Sequence, residues 1–284
     1  LGNIFYEVSK SKFKSYLAVF IIPSVVFWSS GIFKESILLF ALGVFLFHFY
    51  QVCKGKWSKK RGIILLGTLG ILVVMKLYVF VAFLPACVCY FMSKNKEKPY
   101  WTYFSVYGVF LLMGVGLATV APQYSFIDLI VDKQRDFINL SQFFDVNSAF
   151  SMDYLEPTLW SLIKASPEAM LNVFTKPWLG EVNSLLFIPP LFENVLLFFL
   201  LLICFSWRKK LSPNQARFAF FCLSFTMLVY LIIGLTTPIT GALVRYKIPV
   251  TPFLWFSILL TLNTHKFPKG LRKNKLYRWL HSYL

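Results

Sequence analysis

The sequence is poor in acidic residues, in histidine and in any cysteine pattern that could build a metal site or a disulfide framework. It holds 12 Asp and Glu against 29 Lys and Arg, with three His and five Cys. Every Cys lies in or beside an apolar run, and Cys87-x-Cys89 has the wrong spacing for a zinc pair. The sequence therefore predicts neither a disulfide-stabilised fold nor a histidine- or cysteine-based metal centre.

Charged residues of either sign are also scarce, at 14% of the 284 residues, whereas hydrophobic residues make up 57%. The mean hydropathy is +0.65. Such values exclude an ordinary soluble domain and are typical of a polytopic membrane protein. The 32 Phe and 8 Trp suit lipid-facing helices with aromatic anchors at their ends. We therefore expect an all-α fold surrounded by membrane lipid.

The net charge of +17 could indicate a nucleic-acid partner, but its distribution favours a membrane. Basic residues fall in short loops between apolar runs, and this pattern orients membrane proteins. Only eight of the 29 Lys and Arg fall on the side that we predict to be outside. We expect no nucleic-acid partner. The loops predict an integral protein of a bacterial plasma (inner) membrane with both ends in the cytoplasm.

The apolar runs predict a polytopic transmembrane helical bundle of about eight spans. These are residues 16–30, 33–52, 62–75, 77–92, 101–120, 185–207, 216–235 and 248–262. The segment 62–92 is interpreted as two short limbs because it contains Lys76 and exceeds the ~20 residues that one span needs. We predict that Lys76 reaches the outer surface.

The organisation divides into three regions. Residues 1–120 form an N-terminal membrane bundle that begins with a cytoplasmic connector, and 121–184 form an extracytoplasmic loop with interfacial helices. Residues 185–284 form the C-terminal membrane helices and a basic cytoplasmic tail. The chain starts at Leu1 rather than at Met, and we expect a fragment that lacks its N-terminal part.

The outer loop holds most of the acids and two amphipathic patterns. Asp128, Asp132 and Asp136 recur every four residues on one helix face, where they could hold a divalent cation or form a solvated surface. Further on, Ser166-Pro167-Glu168 predicts a helix start, so that 159–178 would be an interfacial helix pair.

Two short constellations could carry chemistry. Lys34 and Glu35 lie at the polar corner that joins the first two spans, and an acid there is either functional or part of a solvated turn. Arg245, Tyr246 and Lys247 precede the last span. Two cations at a Pro-bounded helix start could bind a phosphate, or they could anchor the helix to lipid headgroups.

Three of these features resemble the GT-C superfamily, the polytopic membrane glycosyltransferases that depend on polyprenyl-phosphate sugars and include the protein O-mannosyltransferases. One is the span that contains Pro23 and leads through Phe-Trp-Ser-Ser-Gly (27–31) to Glu35. Another is a run of short paired spans before a large outer loop. The last is RYKIPVTPF (245–253), which is similar to the Arg-Tyr-x-x-Pro-x-x-Pro signature of a late span in that family.

The resemblance implies an inverting transfer of a sugar from a polyprenyl-phosphate donor to an extracytoplasmic acceptor during cell-envelope polysaccharide biosynthesis. It implies a lipid-phosphate site at Arg245 and Lys247, with Tyr246 and Lys34 beside them. Glu35 would be a supporting carboxylate for the acceptor or for a divalent cation. In the family the principal catalytic carboxylate lies in the first outer loop, which would precede residue 1 here.

Three other functions remain open from the sequence. An O-antigen-type polymerase or ligase also handles polyprenyl-linked sugars and relies on outward-facing arginine. A lipid or polysaccharide transporter would need broken helices and polar groups near the bilayer midplane. A non-catalytic assembly subunit would share the same composition.

Overall fold

The computed structural model describes residues 1–31, 33–94, 96, 98–120, 125–181, 184–263 and 266. These residues form 13 α-helices and no β-strand. The helices are α1 (Gly2–Ser9), α2 (Lys12–Phe20), α3 (Pro23–Ser30), α4 (Lys34–Cys53), α5 (Lys59–Met75), α6 (Leu77–Met92), α7 (Pro99–Val120), α8 (Phe126–Phe143), α9 (Leu159–Thr175), α10 (Ile188–Ser206), α11 (Pro213–Thr236), α12 (Thr240–Lys247) and α13 (Thr251–Thr261). The predicted all-α fold is confirmed. The basic tail lies outside the described residues except for Lys266.

Several of these helices are long and apolar enough to cross a membrane. By length and composition, four of the described helical segments qualify: Lys34–Cys53, Pro99–Ala118, Leu185–Ser206 and Pro213–Thr236. The number rises to six if α2 with α3, and α12 with α13, each form one span, and each pair is bent by 61°. The two remaining predicted spans correspond to the shorter helices α5 and α6, of 17 and 16 residues. The apolar helices thus indicate a membrane protein.

The first predicted limb, 16–30, is not a single helix. Helix α2 ends at Phe20 and α3 begins at Pro23, with Ile22 in an extended conformation between them. Proline disfavours the helical conformation in the residue before it, and its fixed φ suits the first turn of a new helix. Pro23 therefore breaks the limb rather than lying inside it.

The segment predicted to be a connector, 1–15, belongs to the core. Ile4, Phe5 and Val8 are buried on α1, and the ring of Phe5 stacks on that of Phe256 with centroids 3.9 Å apart. The sequence interpretation missed this helix because its apolar face is short and is followed by three lysines, at 10, 12 and 14. Burial of such an aromatic pair makes α1 part of the bundle.

The break predicted at Lys76 is confirmed. Helix α5 ends at Met75 and α6 begins at Leu77, and Lys76 between them is extended, with φ −153° and ψ 94°. The backbone N–H of Lys76 still donates to the carbonyl of Leu72, so this residue ends α5 and starts α6. Two short limbs, not one overlong helix, meet at a lysine.

The predicted helix pair over 159–178 is instead one helix, α9, which continues through Pro167. Its true start is Thr158, whose side chain accepts a hydrogen bond from the backbone of Ser161. Pro167 is tolerated because Ala169 and Val173, two and six residues further on, are buried against α11. This tertiary packing overrides the local start signal.

Helix α9 lies very close to α11. A Cβ atom added to Gly234 on α11 would be 2.5 Å from the carbonyl oxygen of Ala169 and 3.0 Å from a methyl group of Val173. Buried Gln134 on α8 donates to the carbonyl of Asp153 and accepts from the N–H of Leu155, both in the segment before α9. The loop region between α7 and α10 is therefore packed onto the bundle.

Candidate functional site

A buried carboxylate binds two cations at one end of the bundle. Glu35 is 1% exposed, and its Oε1 lies 3.0 Å from Nζ of Lys76. Arg245 donates from Nη2 to Oε2 at 3.0 Å, and its Nε lies 2.9 Å from Oε1. We call Glu35, Lys76 and Arg245 the charge cluster. With two cations and one carboxylate, it carries one net positive charge.

Each member of the charge cluster reaches this position through a local feature of its own segment. Glu35 lies in the first turn of α4, where a carboxylate is stabilised by the helix dipole. The side chain of Ser36 donates to the carbonyls of Gly31 and Trp28 and so fixes the corner. Lys76 lies in the break between α5 and α6, and Arg245 lies in the last turn of α12.

Aromatic rings surround the two cations. The guanidinium carbon of Arg245 lies 5.3 Å from the ring centroid of Trp28 and 5.7 Å from that of Phe33. The ammonium of Lys76 lies 4.4 Å from the centroid of the Tyr246 ring. Cations over aromatic faces are stabilised by the ring quadrupole, most where water is excluded. The rings therefore fix the orientation of both cations.

A cavity of about 630 Å³ opens in front of Arg245. Its wall includes Trp28, Arg245 and Tyr246 of α12, the loop segment 146–148, and residues 184, 186 and 187. The loop segment is tied to α12 because the N–H of Thr240 donates to the carbonyl of Ser148 at 2.9 Å. Arg245 keeps 36% of its side chain exposed, so one charged member of the cluster can contact a ligand.

Two other members of the predicted phosphate site, Lys247 and Lys34, do not line this cavity. Lys247 is 5% exposed and does not line this cavity. Its Nζ donates to Oδ1 of Asn194 at 3.2 Å and to the carbonyls of Val173 and Lys176. Positions two apart on a helix face different directions, which separates Lys247 from Arg245. Lys34 is exposed at the start of α4, whereas Tyr246 does line the cavity.

Sequence reasoning missed a second buried carboxylate, Glu193 on α10. It is 5% exposed and accepts hydrogen bonds from the backbone N–H and the hydroxyl of Ser24, at the start of α3. An acid inside the apolar run 188–206 was the available signal, since ionisable residues within spans are costly and rarely incidental. This contact joins α10 to the broken first limb.

The aspartates that could hold a divalent cation lie on α8. Asp132 and Asp136 are about 70% exposed and lie within 4 Å of Arg135 and Lys133 on the same helix. Among the described residues, no group of three or more His, Cys, Asp or Glu side chains could hold a metal ion. Glu35 is itself surrounded by two cations, which disfavours a third positive charge beside it.

No protein-family model, curated protein or solved structure matches this chain. The chemistry of the site therefore has to be inferred from its own geometry. That geometry offers a partly exposed arginine, a net positive charge and aromatic walls at the end of apolar helices. Such a site can bind an anionic group that is attached to an apolar molecule.

Proposed function

We propose that this chain is a membrane glycosyltransferase that transfers a sugar from a polyprenyl-phosphate donor to an acceptor at the extracytoplasmic face. The observation that carries the proposal is the position of Arg245. Its guanidinium is held by Glu35, yet it keeps 36% of its side chain exposed in the wall of a cavity of about 630 Å³. A phosphate with a sugar on one side and a lipid on the other would suit this placement.

In the proposed reaction, the acceptor hydroxyl oxygen bonds to the anomeric carbon of the sugar. The bond from that carbon to the phosphate oxygen breaks, and the phosphate leaves with the electron pair. Arg245 binds the phosphate oxygens and stabilises the negative charge that grows on them. Lys76, which contacts the same carboxylate and is 8% exposed, adds positive potential without contacting the donor.

Glu35 acts in this proposal as a positioning residue. Both of its oxygens are occupied by cations, and the residue is 1% exposed, so it is poorly placed to take a proton from an acceptor. Instead it holds Arg245 and Lys76 at a fixed distance from each other. The resemblance to the GT-C superfamily implies that a different carboxylate accepts the hydroxyl proton.

The proposed orientation places the charge cluster outside a bacterial plasma membrane and both chain ends in the cytoplasm. The support is the dense basic loop between α4 and α5, which lies at the end of α4 opposite Glu35. The 19 residues from Glu35 to Cys53 extend about 28 Å at ~1.5 Å per helical residue, close to the ~30 Å of a hydrocarbon core.

The proposal is tested by transfer of a labelled sugar from a polyprenyl-phosphate donor by the purified full-length protein in lipid nanodiscs. Arg245→Lys keeps the charge but loses the planar two-pronged contact. Losing one charge-assisted contact of about 1.5–3 kcal/mol predicts a fall in kcat/KM of roughly 10- to 150-fold.

The matched control is Arg135→Lys on α8, because Arg135 is 52% exposed and lies 3.9 Å from its nearest carboxylate, that of Asp132. This variant should keep wild-type turnover. Equal turnover in both variants would make Arg245 a headgroup anchor and would remove the support for a transferase site.

A transporter of lipid-linked sugars is a second candidate, because two apolar helix pairs are broken. Both α2–α3 and α12–α13 bend by 61°, and discontinuous helices are typical of transporter binding sites. Reconstituted vesicles that contain a fluorescent polyprenyl-phosphate sugar separate the two functions. Movement of the lipid between leaflets without any sugar transfer would favour the transporter.

A further inference from the structure

A second polar cavity lies at the other end of the bundle from the charge cluster. It has a volume of about 520 Å³ and is formed where α1, α4 and α6 end and α11 begins. Helix α4 separates the two sites, with Glu35 in its first turn and Lys54 directly after its last residue. The proposed transferase site does not use this cavity.

Four cations from four separate segments line the cavity. They are Lys10 after α1, Lys54 after α4, Lys94 after α6, and Arg217 in α11. Among the described lining residues, Glu7 is the one acid, and it is already paired with Lys54 at 2.6 Å. Lys10, Lys94 and Arg217 therefore leave three positive charges that no described acid in the wall neutralises.

Arg217 is the member of this set that the fold holds in place. Its guanidinium carbon lies 4.2 Å from the ring centroid of Tyr90, and its backbone carbonyl accepts a hydrogen bond from the hydroxyl of Tyr103 at 3.1 Å. The Nε atom is buried and has no hydrogen-bond partner among the described residues. A buried guanidinium N–H without an acceptor is costly, so the protein groups around Arg217 do not fully satisfy it.

We propose that this cavity binds a phosphate group, and that the group belongs to the headgroup of an anionic phospholipid. The planar guanidinium would bind two phosphate oxygens, while Lys10 and Lys94 add point charges at the rim. Basic pockets between membrane helices are known to take acidic headgroups. The lipid would fasten the N-terminal helix α1 to the bundle, because Lys10 and Arg217 come from segments that are distant in sequence. This inference does not depend on the transferase proposal.

The test measures lipid retained by the purified full-length protein. The protein is taken from nanodiscs of phosphatidylcholine with and without phosphatidylglycerol, and bound phosphatidylglycerol is counted by native mass spectrometry. Wild type should retain it. The affinity of Arg217→Gln should be lower by about tenfold or more, as expected for one lost charge-assisted contact. Lys94→Gln should show a smaller loss. Because Lys94 is exposed, this variant should fold and keeps the test valid even if Arg217→Gln misfolds.

The matched control is Lys210→Gln, an exposed cation between α10 and α11 that does not line the cavity. It removes the same charge at the same end and should retain phosphatidylglycerol like wild type. A second arm adds inorganic phosphate to lipid-free protein. If phosphate alone raises the Tm of wild type but not of Arg217→Gln, and lipid retention is absent, the site binds soluble phosphate. Wild-type lipid retention in both cavity variants, with no effect of phosphate, would overturn the proposal.

Discussion

Arg245 and Glu35 lie 210 residues apart in the chain, and their side chains meet through two contacts of 3.0 Å and 2.9 Å. The pair joins the corner of the first hairpin to the helix before the last apolar segment. Because Lys76 contacts the same carboxylate, three distant segments are fastened at one point. The cluster therefore stabilises the packing of three segments and is also a candidate binding site.

Glu35→Gln should destabilise the protein and not only reduce its activity. The substitution leaves Lys76, with 8% of its side chain exposed, and Arg245 without their shared anion. Breaking a buried pair costs ~3–5 kcal/mol, and we expect about 3 because Arg245 keeps contact with solvent. Thermal unfolding of the purified protein measures this loss.

The control is Glu156→Gln, at an exposed acid in the loop before α9. It should leave the Tm unchanged. Adding Lys76→Gln to Glu35→Gln should recover part of the lost Tm, because the second change removes one of the two unpaired charges. If the double variant loses more Tm than the two single variants lose together, the shared-carboxylate arrangement is contradicted.

Gly234→Ala should destabilise the packing of α9 on α11. The new methyl group would lie 2.5 Å from the carbonyl oxygen of Ala169, and overpacking of this kind costs ~1–3 kcal/mol. Gly108→Ala on α7 is the matched control, since a Cβ atom there meets nothing within 4 Å. That variant should be neutral or slightly more stable, because alanine favours helix more than glycine does. Equal Tm values for the two variants would show that α9 does not approach α11 so closely.

Lys247→Met should show that Lys247 has a different role from Arg245, the other cation of the predicted phosphate site. The ammonium of Lys247 contacts Asn194 and two backbone carbonyls in the interior, so its loss leaves buried acceptors unsatisfied. We expect a loss of ~1–3 kcal/mol in stability with no change in the KM for a lipid-phosphate donor. A large rise in KM with an unchanged Tm would instead place Lys247 in contact with the donor.

The proposed orientation can be checked with single engineered cysteines. Lys59→Cys, at the start of α5, should react with a membrane-impermeant maleimide only after the cells are permeabilised. Glu156→Cys, in the exposed loop before α9, should react in intact cells. The five native cysteines are buried and give a low background. The reverse pattern of labelling would invert the orientation and every role assigned to the Glu35 end.

The sequence predicted features that follow from bilayer thickness and loop charge. The break at Lys76 is such a feature, because a continuous helix would have put the next basic loop on the wrong side. Proline was less informative. Pro23 starts α3, whereas α9 continues through Pro167, so a proline in the sequence did not by itself show where a helix begins.

The contacts of the site could not be predicted in the same way. In a membrane helix the lipid-facing and core-facing residues are both apolar, so the pattern of α4 or α11 does not show which face turns inward. Lys76 and Arg245 were both identified, but no rule linked either of them to Glu35. Glu193 went unrecognised because its partner, the start of α3, exists only where the first limb breaks.

The two short limbs also set the depth of the charge cluster. At ~1.5 Å per residue, the apolar part of α5, residues 62–75, rises only about 21 Å, against a hydrocarbon core of ~30 Å. Lys76 can therefore reach the outer surface, as we predict, only where the bilayer is thinner than usual around the hairpin. For Lys76 to stay charged, lipid headgroups must move toward it as the bilayer thins locally, or water must reach its ammonium group. A phosphate carried by a lipid would then reach Arg245 from the side, within the leaflet, and its hydrocarbon chain would never have to leave the membrane.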